Sequence, residues 1–431
     1  MIEVRGDLDL PVEGIQVVWG LSGSDGKFEV LTPRTDANGR SAAVWKLGLA
    51  EGTQEAFVNV GDGVAIGTGE SVRFVAEAST LHVREVSVGQ GHACAITMDR
   101  RAVCWGANWT GQLGTGDLEP RDAPTPVLGL PEVVEIRATG NWHTCARDTQ
   151  NGVWCWGSSA NGAVGPGAMQ PHQLVPVRVP DVDGAVRLTV GSSWDTFSCA
   201  LLASGETKCW GSNRGGMLGT GDTVSSAAPR LVLGDHQFTT ISSGEYRTCG
   251  RTATGEAYCW GDARGEELAP LPAGMYLEPV LVADGMKFDS LAVGAYAVCG
   301  LRSFGKAYCF GNIGGGNLGT WLPNGEYATK APVPPETTES FVQLESDGWS
   351  GMYARTSDGR VFMWGEVCCD AYVVPPVLIT PTIHFVEIAA GSGNRYCGIT
   401  ESGGLYCGAP GWWFWKQEET LEGIPANPDS E

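Results

Sequence analysis

The chain has 431 residues, 42% hydrophobic and 18% charged, with 62 glycines, a make-up that suits a folded, turn-rich protein with ample core. A formal net charge of −21 repels polyanions at long range, which excludes nucleic acid and anionic membrane surfaces as expected partners. No apolar run is long enough to predict a transmembrane helix.

Residues 1–79 contain no cysteine. The segments Val12–Leu21, Gly39–Leu47, Ala56–Val60 and Ser71–Ala76 alternate apolar and polar residues, which predicts half-buried strands of a sandwich. The runs Gly14-Ile15-Gln16-Val17-Val18-Trp19, Thr35-Asp36-Ala37-Asn38-Gly39-Arg40 and Trp45-Lys46-Leu47-Gly48, with Gly52, resemble the bacterial immunoglobulin-like domain of invasin-type surface proteins. That resemblance implies a spacer in an extracellular chain. Arg5-Gly6-Asp7 matches an integrin-binding tripeptide, but three residues match by chance too often to carry an argument. Met1-Ile2-Glu3-Val4 lacks the basic start and apolar core of a signal peptide, so an export signal is expected to be missing from this sequence.

From residue 80 onward a period close to fifty residues governs the chain. Cysteines pair as Cys94 and Cys104, Cys145 and Cys155, Cys199 and Cys209, Cys249 and Cys259, Cys299 and Cys309, Cys397 and Cys407, always with nine residues between them. A seventh copy carries Tyr353 and Met363 instead, and an aromatic-Gly step such as Trp105-Gly106, Trp364-Gly365 or Phe310-Gly311 follows six of the copies. Six residues past the first cysteine stands Gly205, Gly255, Gly305, Gly359 or Gly403, or else Asn151 or Arg100. A three-residue hairpin loop needs a left-handed residue there, and such a loop places the two cysteines opposite each other within disulfide range. Six stapled hairpins are therefore predicted, and with them an oxidising compartment. Free buried cysteines would have to fall into one register by chance, and zinc lacks both Cys-x-x-Cys spacing and clustered histidines. The adjacent Cys368-Cys369 is read as reduced and structurally unimportant.

After each aromatic-Gly step comes a Gly-rich segment, clearest as Asn108 to Asp117 and Asn213 to Asp222, then a Pro-containing strand such as Pro124 to Leu130. This unit resembles the regulator of chromosome condensation repeat, whose seven copies imply a seven-bladed β-propeller over about residues 81 to 425. Ala163-Val164-Gly165 and Glu266-Glu267-Leu268 are eroded forms of the family's Gly-x-Leu-Gly step. The predicted fold is all-β: an immunoglobulin-like sandwich over 1–79, then a propeller over 80–431 with a disulfide in most blades. No Pro-containing strand precedes Leu81, and Thr420 to Pro425 resembles one, so the two ends are expected to pair and close the ring.

No catalytic motif is present, the six histidines are scattered, and no cofactor or metal is expected. His92 and His143, two residues before a cysteine, are read as structural. Just after the repeat glycine stand Trp142, Trp194, Tyr246, Tyr296 and Trp349, with Arg247 and Arg395 near by. Equivalent turns of a propeller share one face, so these residues predict an aromatic binding mouth. The resemblance implies a protein-binding face, since a secreted β-lactamase inhibitor and a plant ultraviolet-B photoreceptor with similar repeats use aromatic-rich faces. The expected protein is an exported or cell-surface non-enzymatic scaffold, bacterial in type, for a protein or surface glycan. A guanine-nucleotide exchange factor, as in the name-giving family, and a propeller-borne carbohydrate-active enzyme are the alternatives. Trp412-Trp413-Phe414-Trp415 adds a second aromatic patch, and Asn108-Trp109-Thr110 is a glycosylation sequon that coincides with the repeat's own Asn step.

Overall fold

The paired cysteines face each other across antiparallel strands in every copy that has them, and Tyr353 faces Met363 in the copy that does not. The computed structural model describes residues 81–408 except 139–141, 169, 192–195, 264–271, 273, 313–315, 321–330, 369–370 and 393–394, followed by Glu422–Gly423. Of the first 80 residues it describes 2–3, 16–22, 27–30, 34–38, 40–41, 43–46, 52–61 and 71–78. Two units result, Met1–Thr80 and Leu81–Glu431.

In the first unit Gln16–Ser22, Gly52–Gly61 and Ser71–Ala78 form an antiparallel sheet, and Lys27–Val30 pairs with Ala43–Lys46. Asp36 shapes the turn between Arg34 and Arg40 because its Oδ1 accepts from the amides of Asn38 (2.8 Å) and Arg40 (2.9 Å). Within the strand expected over Gly39–Leu47, Arg40–Ser41 pairs with Ile2–Glu3 and Ala43–Lys46 pairs with Lys27–Val30. Arg5-Gly6-Asp7 lies outside the described residues.

The second unit is a seven-bladed propeller in which successive sheets are numbered here as blades 1 to 7. Blade 1 runs Val83–Val88, His92–Thr97, Ala102–Gly106 and Arg121–Pro126, and blade 7 runs Glu387–Gly391, Arg395–Ile399, Leu405–Gly408 and Glu422–Gly423. Each sheet keeps the order of the chain, and in blades 1, 2, 3, 4 and 6 a Pro-containing strand is outermost. In blade 5 the bridge from Cys309 to Val333 takes the place of the fourth strand among the described residues.

The left-handed position predicted for the hairpin loop is left-handed in all seven blades, with φ from 63° at Asn151 to 90° at Gly359 and Gly403. Disulfides close six hairpins at Cα separations of 4.0–4.1 Å, nearer than the roughly 4.5–5.5 Å of cross-strand pairs in general. Cys368-Cys369 as a pair lies outside the described residues.

Blades interlock through the aromatic-Gly step. Trp156, Trp210, Trp260 and Trp364 are fully buried, and each indole Nε1 donates to a carbonyl in the Gly-rich step of the preceding blade: Gln112 (2.8 Å), Ala163 (2.8 Å), Met217 (2.9 Å) and Asn317 (3.1 Å). The eroded Ala163-Val164-Gly165 still supplies its carbonyl. A Cβ on Gly219, where φ is +67°, would stand 2.8 Å from the Trp260 ring, so this joint needs a glycine twice over. Phe310, in blade 5, has no N–H to give, and the step it would address lies outside the described residues.

The ring closes differently from the expectation. Blade 1 already contains its own Pro-containing strand, and Glu422–Gly423 pairs with Tyr406 and Cys407 as the fourth strand of blade 7. The N-terminal side meets the blade 7 hairpin instead: Val83 N donates to Gly403 O at 2.9 Å and Leu405 N to Leu81 O at 3.0 Å. The same backbone bond joins Val133 to Arg100, Phe238 to Gly205, Phe288 to Gly255 and Phe385 to Gly359, so the seam repeats the geometry of the other joints.

Candidate functional site: an aromatic mouth over a charged channel

The first strand of every blade lines a central channel of about 500 Å³. The polar part of its lining comes from Glu85 and Ser87, Glu135 and Arg137, Arg187 and Thr189, Thr240 and Ser242, then Gln343 and Glu345 in blade 6 and Glu387 in blade 7. In five blades a β-bulge at position two re-aims the strand, so a strict two-residue alternation does not hold there. Position-three side chains also tie blades together. Glu85 accepts from Ile136 N (3.3 Å), Glu135 from Leu188 N (3.0 Å) and Gln343 from Ile388 N (3.2 Å).

The channel charges are unequally shared. Arg137 pairs with Glu85 (2.5 Å) and Glu135 (2.8 Å), and Arg147 pairs with Glu135 (3.0 Å). Burial would lower the Arg137 pKa, but the surrounding carboxylates of Glu135 and Glu85 hold it above its ordinary value. In blade 7, next to blade 1, the Glu387 carboxyl is pushed up to about 7, first by burial and then by the charges of Glu85 and Glu345, against the pull of Arg137 and Arg355. Burial raises Glu345 as well.

At one end of the channel each first strand turns outward, and the turns of neighbouring blades touch. Ala295 N donates to Trp349 O (2.7 Å) and Ser392 Oγ to Asp347 O (2.9 Å). A Cβ on Gly244 would stand 2.4 Å from Gly294 O, and one on Gly391 2.5 Å from Gly89 O. The turns of the rim thus touch one another from blade 4 round to blade 1, and Tyr246, Tyr296 and Trp349 ride on them. Tyr296 meets Trp349 edge to face at a ring separation of 5.4 Å. Trp349 is 40% exposed and Tyr246 36%. Trp142 is half-buried, 6.3 Å from Trp109, whose ring is 66% exposed. Trp194 lies outside the described residues, as do Trp412 to Trp415.

Arg395 is exposed, as a contact residue should be. Arg247 is not: it is 1% exposed and its Nη2 donates to Ala295 O at 2.6 Å, so it braces blade 4 against blade 5 rather than facing a partner. Glu245, next to Tyr246, is buried, and that burial lifts its carboxyl to about 7. His92 and His143 occupy the position equivalent to Arg247 and likewise reach across a joint. His92 Nε2 is hydrogen-bonded to Thr144 Oγ1 (2.9 Å) and His143 Nε2 to Ser198 Oγ (2.8 Å). Burial holds them neutral, at about 3 and about 4.

Trp109 was hidden in the sequence by its neighbour. Asn108 is fully buried, accepts from Leu113 N (3.0 Å) and donates to the carbonyls of Asp117 and Glu119 (3.0 Å each), so the sequon is a structural clamp inaccessible to a glycan. That clamp holds Trp109 outward over the next blade's turn, where Thr110 Oγ1 donates to Trp142 O (2.8 Å).

Fold and rim together define a disulfide-stapled seven-bladed propeller with an aromatic face. The Regulator of chromosome condensation (RCC1) repeat matches residues 103–147, and a second profile of the same repeat matches 133–163 and 238–264, so these segments are repeats of this type. Among curated proteins the chain is similar to the probable E3 ubiquitin-protein ligase HERC6 of Homo sapiens, 32% identical over 35% of this chain and 15% of the ligase. It is also similar to the ultraviolet-B receptor UVR8 of Arabidopsis thaliana, 29% identical over 38% of each chain. The match thus spans well under two thirds of either relative. Among solved structures human WBSCR16 superposes with a TM-score of 0.64 at 19% identity, over 88% of this chain and 97% of the other. Yeast RCC1 (Prp20), crystallised with Kap60, superposes at 0.63 and 18% identity, over 89% and 88%. These likenesses concern the fold. Among the described residues no group of histidine, cysteine and carboxylate side chains could hold a metal ion, and no helix is long and apolar enough to cross a membrane.

Proposed function

We propose that the propeller is a non-enzymatic, exported binding scaffold that captures a protein, or failing that a surface glycan, on its aromatic mouth. The observation that carries this reading is the rim itself. Tyr246, Tyr296, Trp349, Trp142 and Trp109 stand on turns locked by backbone hydrogen bonds, so aromatic area is offered with little conformational entropy left to lose on binding. Export is supported by six hairpins closed by disulfides, chemistry that persists in oxidising compartments. Residues 1–79 are read as an immunoglobulin-like spacer that carries the propeller.

The test replaces Trp142, Tyr246 and Tyr296 together by Ala and measures capture of secreted and surface molecules from the cells that make the protein. Loss of capture with an unchanged unfolding midpoint supports the reading; loss of folding shows the rings to be filler between blades. The exchange-factor alternative rests on fold likeness at 18% identity and has no observation of its own here.

A further inference from the structure

Each disulfide packs against the blade that follows, under the side chain of that blade's aromatic-Gly step. Trp156 shares an apolar cluster with the blade 1 staple, Trp210 with that of blade 2, Trp260 with blade 3, Phe310 with blade 4 and Trp364 with blade 5. All five rings are fully buried, and the cysteines of those five staples are at most 1% exposed. The staple of blade 7 is covered less well. Cys397 and Cys407 belong to the cluster that packs blade 7 on blade 1, with Leu81, Val83 and Leu405, and the aromatic that meets them is Trp105. That ring is partly exposed, and among the described residues its indole makes no bond of the kind that fixes Trp156, Trp210, Trp260 and Trp364 to the preceding blade. Cys397 is 3% exposed, and Cys407 is only partly buried. The middle hairpin of blade 7 is also the shortest among the described residues, with four strand pairs against five or six elsewhere.

We infer that Cys397–Cys407 is a redox-sensitive latch on the ring seam, opened by low-molecular-weight thiols while the other five staples stay closed. Thiol–disulfide exchange needs a thiolate that can reach a sulfur, so a staple's reactivity follows its access. The thiolate attacks Sγ of Cys407, the more exposed partner; the S–S bond breaks and its electron pair leaves on Cys397 Sγ, which takes up a proton. A second thiolate attacks the small-molecule sulfur of the mixed disulfide and releases Cys407, which is protonated in turn. Two small thiols are thereby oxidised to one disulfide, and the staple is reduced to two thiols. Because this staple packs inside the seam cluster, its loss is felt at the bonds from Val83 N to Gly403 O and from Leu405 N to Leu81 O, which open more often once the hairpin is free.

Incubating the oxidised whole chain with millimolar glutathione at pH 8, trapping new thiols with N-ethylmaleimide and mapping them by peptide mass spectrometry tests this. Cys397 and Cys407 are expected to be labelled at least about tenfold faster than the cysteines of the other five staples. Hydrogen exchange gives the second readout: after reduction the Val83 and Leu405 amides should exchange at least about tenfold faster, while the Phe238 amide, at the joint of blades 3 and 4, keeps its rate. C397A/C407A should show the faster seam exchange without thiol and no further response to it. No labelling of the pair, all six staples reacting at one rate, another staple reacting first, or a reduced seam whose amides exchange as before each overturns the inference. The aromatic mouth takes no part in this test, so triple replacement there leaves the order of labelling unchanged.

Discussion

The joint between blades 3 and 4 and the joint between blades 7 and 1 share a backbone and differ in their side chains. At both, the amide that opens the first strand donates to the left-handed residue of the preceding hairpin: Phe238 to Gly205 at 3.0 Å, Val83 to Gly403 at 2.9 Å. At the first joint Trp260 is fully buried and bonded to Met217 O, whereas Trp105 at the second is partly exposed. The difference teaches that the strand geometry of the joint is kept with or without a fully buried Trp, while the interlock adds a Trp indole bonded to a carbonyl of the preceding blade, which even the eroded Ala163-Val164-Gly165 step supplies.

The sharpest way to break this comparison is to remove the indoles. Trp260→Ala should cost about 3–5 kcal/mol in denaturant unfolding, from lost burial and an orphaned carbonyl, and Trp105→Ala about 1–2 kcal/mol. Equal losses would show that the seam leans on its aromatic just as heavily. Next in size are the staples. Replacing Cys249 and Cys259, or Cys397 and Cys407, by Ala should cost about 3 kcal/mol in either blade, since both loops span ten residues and the entropic effect depends on loop length. A clearly larger loss in blade 7 would mean that its hairpin also braces the seam.

Acid separates the joints a third way. His92 and His143 cross the joints of blades 1 with 2 and 2 with 3, while blade 7 has the exposed Arg395 at that position. A folded pKa depressed below the unfolded one gives stability that is whole above the unfolded pKa, 6.5, and is lost as pH falls through the folded one, about 4 for His143. By pH 5 that loss is about 2 kcal/mol for His143. His143→Gln should therefore flatten the decline between pH 6.5 and 4, and an unchanged slope would assign acid lability elsewhere. The smallest effect has the opposite sign. Glu387 has a raised folded pKa, so its contribution is favourable below 4.5 and is lost as pH rises through about 7. Glu387→Gln should gain about 1 kcal/mol at pH 8, with its partial contact with channel water allowed for, and nothing at pH 4.5.

The repeat, the hairpin register and the left-handed loop residue were legible because each is fixed by local geometry: Gly, Asn and Arg100 all stand where the loop turns. Blade boundaries were harder, because a cyclic repeat has a period but no phase. The strand of residues 121–126 could be read as opening one unit or closing another, and hydrogen bonding settles that it closes blade 1. The channel lining escaped for a different reason. The bulge before Glu85, Glu135, Arg187, Thr240 and Gln343 shifts the face that these residues occupy, so no alternation announces them. Arg247 beside Tyr246 looked like a contact residue, and only its bond across the joint shows it to be a strut.

Stapling each hairpin within its own blade also sets how the propeller would respond to a pull along the chain. Among the described residues every disulfide links residues ten apart, so an oxidised blade torn from the ring cannot release that stretch, and about 35 Å of extension stays locked at roughly 3.5 Å per residue. Blade 6, with Tyr353 facing Met363, is without this lock and pays out its hairpin in full. Under load the six closed blades should lengthen in short steps and blade 6 in a longer one, a difference that a reductant erases.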